Sequence, residues 1–447
     1  MARIVHILRR LVPNEWGGTE TVVTNLCRQQ QARGHSVEIV CTSALSVPGR
    51  DWVEGISVRR FPYSYARWPL TSYEESQLDG KGGNPLSFSL MRYLMRKPAP
   101  DMFHVHADGR LGAIVRFAAR HQNTPYVFSV HGGYYDIPEA EQNHIQSVVR
   151  HRLDWGKPAS WLLGTRRLLD DAAALLFVNP ADAERAAQVY PGKHVVHLPN
   201  GVDSARWSSG DAESFRRRFS LGGRRIVLCV ARLDPQKDQV CLVRAFGLVA
   251  QTQPTAHLVL VGPVSVPGYD REVQAEANRC GVASRVTIVP GLEADSPLLP
   301  AAYRAAEVCV LPSRHEPFGI AVLEGWAARR PVVASDVGGL ARLVRAHGGG
   351  LLFPPGDHQA LARQLLVLLN CPSRRRTLAQ VGFHVAAREY SWTAIADRLE
   401  AIYEMIGRER SKPWHSQPKA SWQSAAVIRS DSGRGLRGPY TASANKS

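Results

Sequence analysis

Short apolar runs rich in β-branched residues recur along this chain, each followed by a loop and then by a segment whose apolar residues return at helical spacing. RIVHIL (3–8) predicts a strand, 21–33 a helix, and SVEIVC (36–41), after the turn at Gly34 and His35, a second strand. Such a β-α-β unit closes right-handed into a parallel sheet. Residues 103–106, 111–121 and 125–130 continue as strand, helix and strand, and 171–178 is another strand-like run. Residues 195–198 lead into PNGVD (199–203), read as a turn with no helix immediately behind it and as the hinge of the chain. A second register follows, with strands at 225–230, 257–262, 286–289, 306–311 and 332–335, an amphipathic helix at 358–370 and a last well-patterned helix at 394–406. Between 134 and 169 the pattern is irregular, with Trp155 and Trp161; covering helices are the first reading, an acceptor lid or membrane-facing patch the other.

Two successive α/β halves suit a chain of 447 residues, which is long for a single core. Hydrophobic content of 44% and charge of 21% are ordinary for a folded globular protein. No window offers 18 consecutive apolar residues, and Arg9 and Arg10 interrupt the N-terminal apolar run, so a cytosolic location is expected. The seven cysteines are odd in number and form no C-x2-C pair; they read as reduced core residues rather than a disulfide framework or metal site. The net charge of +16 is concentrated in part at 408–447, where 8 cations face 2 anions in a segment without apolar periodicity. That tail reads as disordered and solvated ahead of a dedicated membrane or nucleic-acid arm.

The candidate chemistry centres on PSRHEPFGIAVLEGWA (312–327), behind the strand AEVCVL. Glu316 and Glu324 stand eight positions apart at a loop and helix entry, where the backbone N–H groups of Phe318, Gly319 and Ile320 suit a phosphate. One carboxylate would reach a sugar ring and the other a ribose. Arg232 and Lys237, in the exit loop of strand 225–230, could clamp a diphosphate. In the first half, two strands end in histidine, His106 and His131. In open α/β sheets ligands lie outside the carboxyl ends of the strands. Gly132 and Gly133 clear space beside His131, which favours His131 as functional. Gly17 and Gly18, after the first strand, would let a ligand approach the backbone, although such a pair is more often a plain turn.

In order, GGTE (17–20), HGG (131–133), PNGVD (199–203), ARLxxxK (231–237), PSxxExFG with ExxxxxxxE (312–324), GG (338–339) and PGD (355–357) resemble a retaining glycosyltransferase of family 4 with the GT-B architecture, over about 3–407. The resemblance implies two Rossmann-like parallel-sheet α/β domains facing across a cleft. Residues 1–201 would form the acceptor domain, rejoined by a crossover helix at about 388–407, and 202–387 the nucleotide-sugar donor domain. It further implies that Arg232, Lys237 and the backbone at 318–320 hold the diphosphate, Glu324 the ribose and Glu316 the sugar hydroxyls, with Gly18 and His131 approaching from the first domain. Asp238, Gly325 and Arg342 depart from the family's usual glycine, alanine and glutamate, which puts fine donor selectivity in doubt.

The expected activity is transfer of a hexose from a UDP- or GDP-sugar to a saccharide or lipid-linked acceptor, with polysaccharide or glycoconjugate synthesis as its setting. No D-x-D pattern stands beside the phosphate site, so metal-independent transfer is expected, without a cofactor, the cations stabilising the leaving β-phosphate. For retention, that phosphate would deprotonate an acceptor attacking from the same face. No nucleic-acid partner is expected; contact with the inner face of an anionic membrane is a further expectation. Competing readings are a GT-B-like sugar-nucleotide epimerase or phosphorylase, and a non-catalytic basic protein binding nucleic acid or membrane.

Overall fold

The computed structural model describes residues 1–12, 18–80, 83–135, 153–293 and 295–410. Gly17 and most of the tail expected at 408–447 lie outside these. By its internal contacts the chain divides into two units, Met1–Leu198 with the chain from Ala396 onward, and Pro199–Ile395.

The first unit is built on an eight-stranded sheet. Its order is His194–His197, Ala174–Phe177, Tyr126–Val130, Met102–Val105, Arg3–Ile7, Ser36–Thr42, Ile56–Phe61 and Gly49–Val53. Every neighbouring pair is parallel except the last, an antiparallel hairpin. The chain winds outward in one direction from Arg3–Ile7 and in the other from Met102–Val105. The strand order therefore reverses between those two, where the carboxyl ends of a doubly wound sheet open a crevice. Their burial on both faces is why RIVHI and MFHV read as continuous rather than alternating runs.

The second unit holds a six-stranded, wholly parallel sheet in the order Val286–Val289, Ala256–Val261, Arg225–Val230, Ala306–Leu311, Val332–Ser335 and Gly350–Phe353. Here the reversal falls between Arg225–Val230 and Ala306–Leu311. Helices Gln239–Thr252 and His358–Asn370 cover one face, with Leu242, Phe246, Leu361 and Leu365 fully buried against the strands.

The final helix, Trp392–Arg410, is shared between the units along its length. Trp392 packs on Gly201 in the second unit, where an added methyl carbon would sit 2.6 Å from the indole. Further along, Asp397 pairs with Arg33 at 2.5 Å and Glu400 with His35 at 3.3 Å, both in the first unit.

Several expectations need correction. A helix, Ser204–Ser208, does stand immediately behind PNGVD, because the Asp203 carboxylate caps it by accepting from the Arg206 amide at 3.1 Å. The hairpin Gly49–Val53 and Ile56–Phe61 was not expected, nor was the helix Pro372–Arg388. All seven cysteines are free, but Cys280 and Cys371 are only half-buried. Among the described residues no helix is long and apolar enough to cross a membrane.

Candidate functional site

In the second unit, two loops leave neighbouring strands on either side of the strand-order reversal. Behind Arg225–Val230 the chain passes Arg232 and turns through Pro235–Lys237; behind Ala306–Leu311 it carries Glu316 to the helix Ile320–Ala327. Lys237 Nζ donates to Glu316 Oε2 at 2.6 Å, and both side chains are largely buried. Read from sequence as separate diphosphate and sugar groups, the two are here a single ion pair. The Arg314 amide donates to the Gln236 carbonyl at 2.8 Å, tying the loops a second time. Arg232 stays on the rim: its side chain is 45% exposed, with Nη1 3.9 Å from Asp234 Oδ2.

The position after Lys237 explains a departure from the family pattern. Asp238 has φ +49°, a left-handed conformation that glycine adopts freely and aspartate tolerates. Its side chain caps helix Gln239–Thr252 and pairs with Arg314 at 3.0 Å, so the local turn survives without glycine.

Gly319 precedes helix Ile320–Ala327 with φ +97°. Among the described residues, nothing accepts from the amides of Phe318 and Gly319, and Ile320 opens the helix, leaving donors at its positive end. The phenyl ring of Phe318 is buried. Beneath this loop the Gly339 amide donates to the Glu316 carbonyl at 2.9 Å, and a Cβ on Gly339 would fall 2.4 Å from Phe318 Cα. The paired glycines 338 and 339 thus let a second helix end press against the Glu316 loop.

Glu324 lies one helical turn in, half-buried. Its Oε2 accepts from the Tyr303 hydroxyl at 2.6 Å, and burial raises the pKa of its carboxyl while that hydrogen bond lowers it. Tyr303, fully buried in helix Leu298–Ala305, went unnoticed in the sequence because nothing local marks its partner 21 positions on. Glu316 and Glu324 thus have separate partners.

The remaining two predicted residues belong to the first unit. Gly18 is the exposed first residue of helix Gly18–Ala32. His131 follows strand Tyr126–Val130, half-buried, with Nε2 2.7 Å from Nδ1 of His106. His106 in turn reaches His6, in the first strand, at 3.0 Å. Burial depresses His6 and His131 to about 4, and His104 and His106 well below the usual histidine value. Sequence reasoning missed His6, His104 and Gln30; their only signal was polarity within otherwise apolar strand and helix faces.

The chain as a whole is similar to known proteins. Residues 17–201 match the family described as "Glycosyl transferase 4-like domain" and residues 224–371 that described as "Glycosyl transferases group 1". A D-inositol 3-phosphate glycosyltransferase of Thermomonospora curvata is 30% identical over 87% of this chain and 90% of its own length. A GDP-mannose-dependent alpha-(1-6)-phosphatidylinositol monomannoside mannosyltransferase of Mycolicibacterium smegmatis is 30% identical over 60% of this chain and 71% of its own. In fold, the chain is similar to Anabaena HepE solved with UDP and glucose, with a TM-score of 0.66 and 20% identity over 90% of this chain and 100% of that one. Two doubly wound units, motifs in family order and relatives aligned along most of the length lead to one assignment: the chain belongs to the family 4 glycosyltransferases of the GT-B fold.

Proposed function

We propose that this glycosyltransferase moves a hexose, with retention of anomeric configuration, from a UDP- or GDP-sugar to a hydroxyl of a saccharide or lipid-linked acceptor. The observation that carries this reading is the Lys237–Glu316 pair, which brings a cation loop and a carboxylate loop together at the strand-order reversal of one sheet. Lys237 and Arg232 would meet the leaving diphosphate, aided by the free amides at Phe318 and Gly319. Charge develops on that phosphate as the glycosidic bond breaks, so fixed cations there favour the transition state over the ground state. Such a site stabilises the leaving group without a metal ion, and turnover in excess chelator tests that point.

A sugar hydroxyl takes the place of the ammonium on Glu316 when the donor enters, leaving Lys237 free to turn to phosphate. Glu324, steadied by Tyr303, suits a ribose diol. His131 would meet a hydroxyl of the donor sugar, and the departing phosphate would accept the acceptor's proton from the same face. The names of the relatives add inositol phosphates and phosphatidylinositol mannosides to the acceptors worth testing.

A panel of UDP-, GDP- and ADP-sugars, scored by protection against thermal unfolding, tests the donor half, since a ligand bound only to the folded state stabilises it by mass action. Protection by one nucleotide series, with release of its diphosphate dependent on acceptor, is expected. No protection by any of them would overturn the reading. The anomeric configuration of the product tests retention.

A further inference from the structure

Behind His131, side chains line up into the first unit. His131 Nε2 faces His106 Nδ1 at 2.7 Å, His106 Nε2 faces His6 Nδ1 at 3.0 Å, and His6 Nε2 faces Gln30 Oε1 at 2.8 Å. With their pKa values lowered by burial, the rings are neutral near pH 7, each with one proton on one nitrogen. Rings joined through both nitrogens have two consistent arrangements: every Nε2 carries the proton, or every Nδ1 does.

The choice falls to Gln30, which has a second neighbour. Its side-chain nitrogen lies 3.5 Å from the hydroxyl of Tyr403, and that hydroxyl is 2.6 Å from Nδ1 of His104. On its other side, His104 Nε2 is 2.6 Å from the Ser129 hydroxyl. Neutral His104 accepts on one nitrogen only, and the two equal distances do not decide which. Acidity does. A phenol, with a pKa of about 10, is a far stronger proton donor than an aliphatic alcohol. Tyr403 therefore donates to His104 Nδ1, and His104 Nε2–H donates to Ser129. Having given its one proton, the Tyr403 oxygen can only accept from Gln30. The amide NH2 turns to Tyr403 and the carbonyl oxygen to His6.

We infer that Tyr403 and Gln30 set the direction of this chain and hold His131 as the Nε2–H tautomer, so that Nδ1 is a bare acceptor for a ligand hydroxyl. The ligand assignment rests on the reading of His131 given above. An imidazole lone pair repels phosphate and carbonyl oxygens and accepts from an O–H or N–H, so the ligand group that meets His131 is a hydrogen-bond donor, as the hydroxyls of a sugar or polyol are. Gln30 cannot take up a proton, so the chain orients His131 and does not conduct. His106, His6, Gln30 and Tyr403 are positioning residues. One ring nitrogen from each of His6, His104 and His106 also lies within 4.8 Å of the other two, a spacing that could hold a metal ion, but all six nitrogens of these rings are already hydrogen-bonded.

Long-range 15N–1H NMR of the full chain, histidine-labelled and without substrate, tests the inference at pH 7. His131, His106 and His6 are each expected as the single Nε2–H tautomer. A His131 carrying its proton on Nδ1 would overturn it. In Tyr403→Phe the amide loses its constraint, and His131, three residues away along the chain, is expected to become a mixture of tautomers. Gln30→Met should do the same and stands in if the phenylalanine variant fails to fold. A folded variant of either kind with an unchanged single tautomer refutes the direction-setting role, as would His6 and His106 signals that move when chelator is added. No substrate enters these measurements. Wild-type turnover in His131→Ala would end the functional reading while leaving the tautomer result intact.

Discussion

The two units hold their candidate groups by opposite means. In the second, a cation and a carboxylate on separate loops hold each other at 2.6 Å, a pair that an incoming ligand can exchange for its own charges and hydroxyls. In the first, the group at the strand end is backed by neutral side chains bonded ring to ring, with His6, His104 and Gln30 wholly buried. A charged pair can be exchanged for the charges of an incoming ligand, although one this largely buried is only weakly screened by salt; a buried neutral chain offers a ligand no charge to exchange and is costly to leave half-paired. One region is arranged to be reorganised by its substrate, the other to stay as it is.

Acid should divide them most. The folded-state pKa of His6, about 4, lies below the ordinary 6.5, so the unfolded chain binds the proton first. The stability contributed by neutral His6 is complete above pH 6.5 and is lost as pH falls towards 4, worth about 3 kcal/mol by that shift alone. Urea midpoints across this range, followed by a probe in the first unit, should fall steeply. His257, also near 4, adds a similar term in the second unit, so His257→Gln is the background in which the two units are compared. A flat profile there would mean the chain accepts protons without loss.

The ion pair comes next. Glu316→Gln and Lys237→Ala should each lower turnover at least tenfold, about 1.4 kcal/mol of barrier, with little change in melting temperature. If the pair acts as a unit, the double variant should lose less than the two single losses combined. Full additivity would separate their roles. Gly339→Ala tests the same loop from beneath: its Cβ would force the backbone of Pro317 and Phe318 to shift, costing about 1 kcal/mol of stability and weakening sugar-nucleotide protection. Smallest is Asp238→Gly, which keeps the left-handed turn but removes the cap, for a few tenths of a kcal/mol in chemical unfolding.

How much of this was legible in the chain depends on what each element is made of. Central parallel strands announce themselves because both faces are buried, and RIVLCV and AEVCVL carry the loops of the ion pair. The hairpin was hidden because GRDWV exposes four of its five residues and Arg60 of its partner strand is buried with its charge met by Asp51 at 2.6 Å and the Leu11 carbonyl at 3.2 Å. Helix Pro372–Arg388 buries only Ala379, Gly382 and Ala386, too few for an apolar stripe. The helix behind PNGVD has five residues, shorter than two turns of periodicity. Glu316 and Lys237 could be nominated singly, since each sits at a strand end, but their pairing across 79 positions could not. Tyr303 and Gln30 act through partners distant in sequence, and only the folded backbone brings them near.

The bond between Tyr403 and His104 also has a bearing on how the protein is made. It spans 299 positions, so a ribosome adding about 5 to 20 residues per second needs roughly 15 to 60 s between the two. For the last 206 of those positions, after the final strand ends at His197, the first sheet can be complete in strands while His104 and Gln30 wait, without their tyrosine, in what will become its interior. Translation speed through the second unit therefore sets how long the nascent first unit must survive unfinished. A rare-codon stretch placed there should lengthen its exposure to proteases and chaperones without altering a single residue.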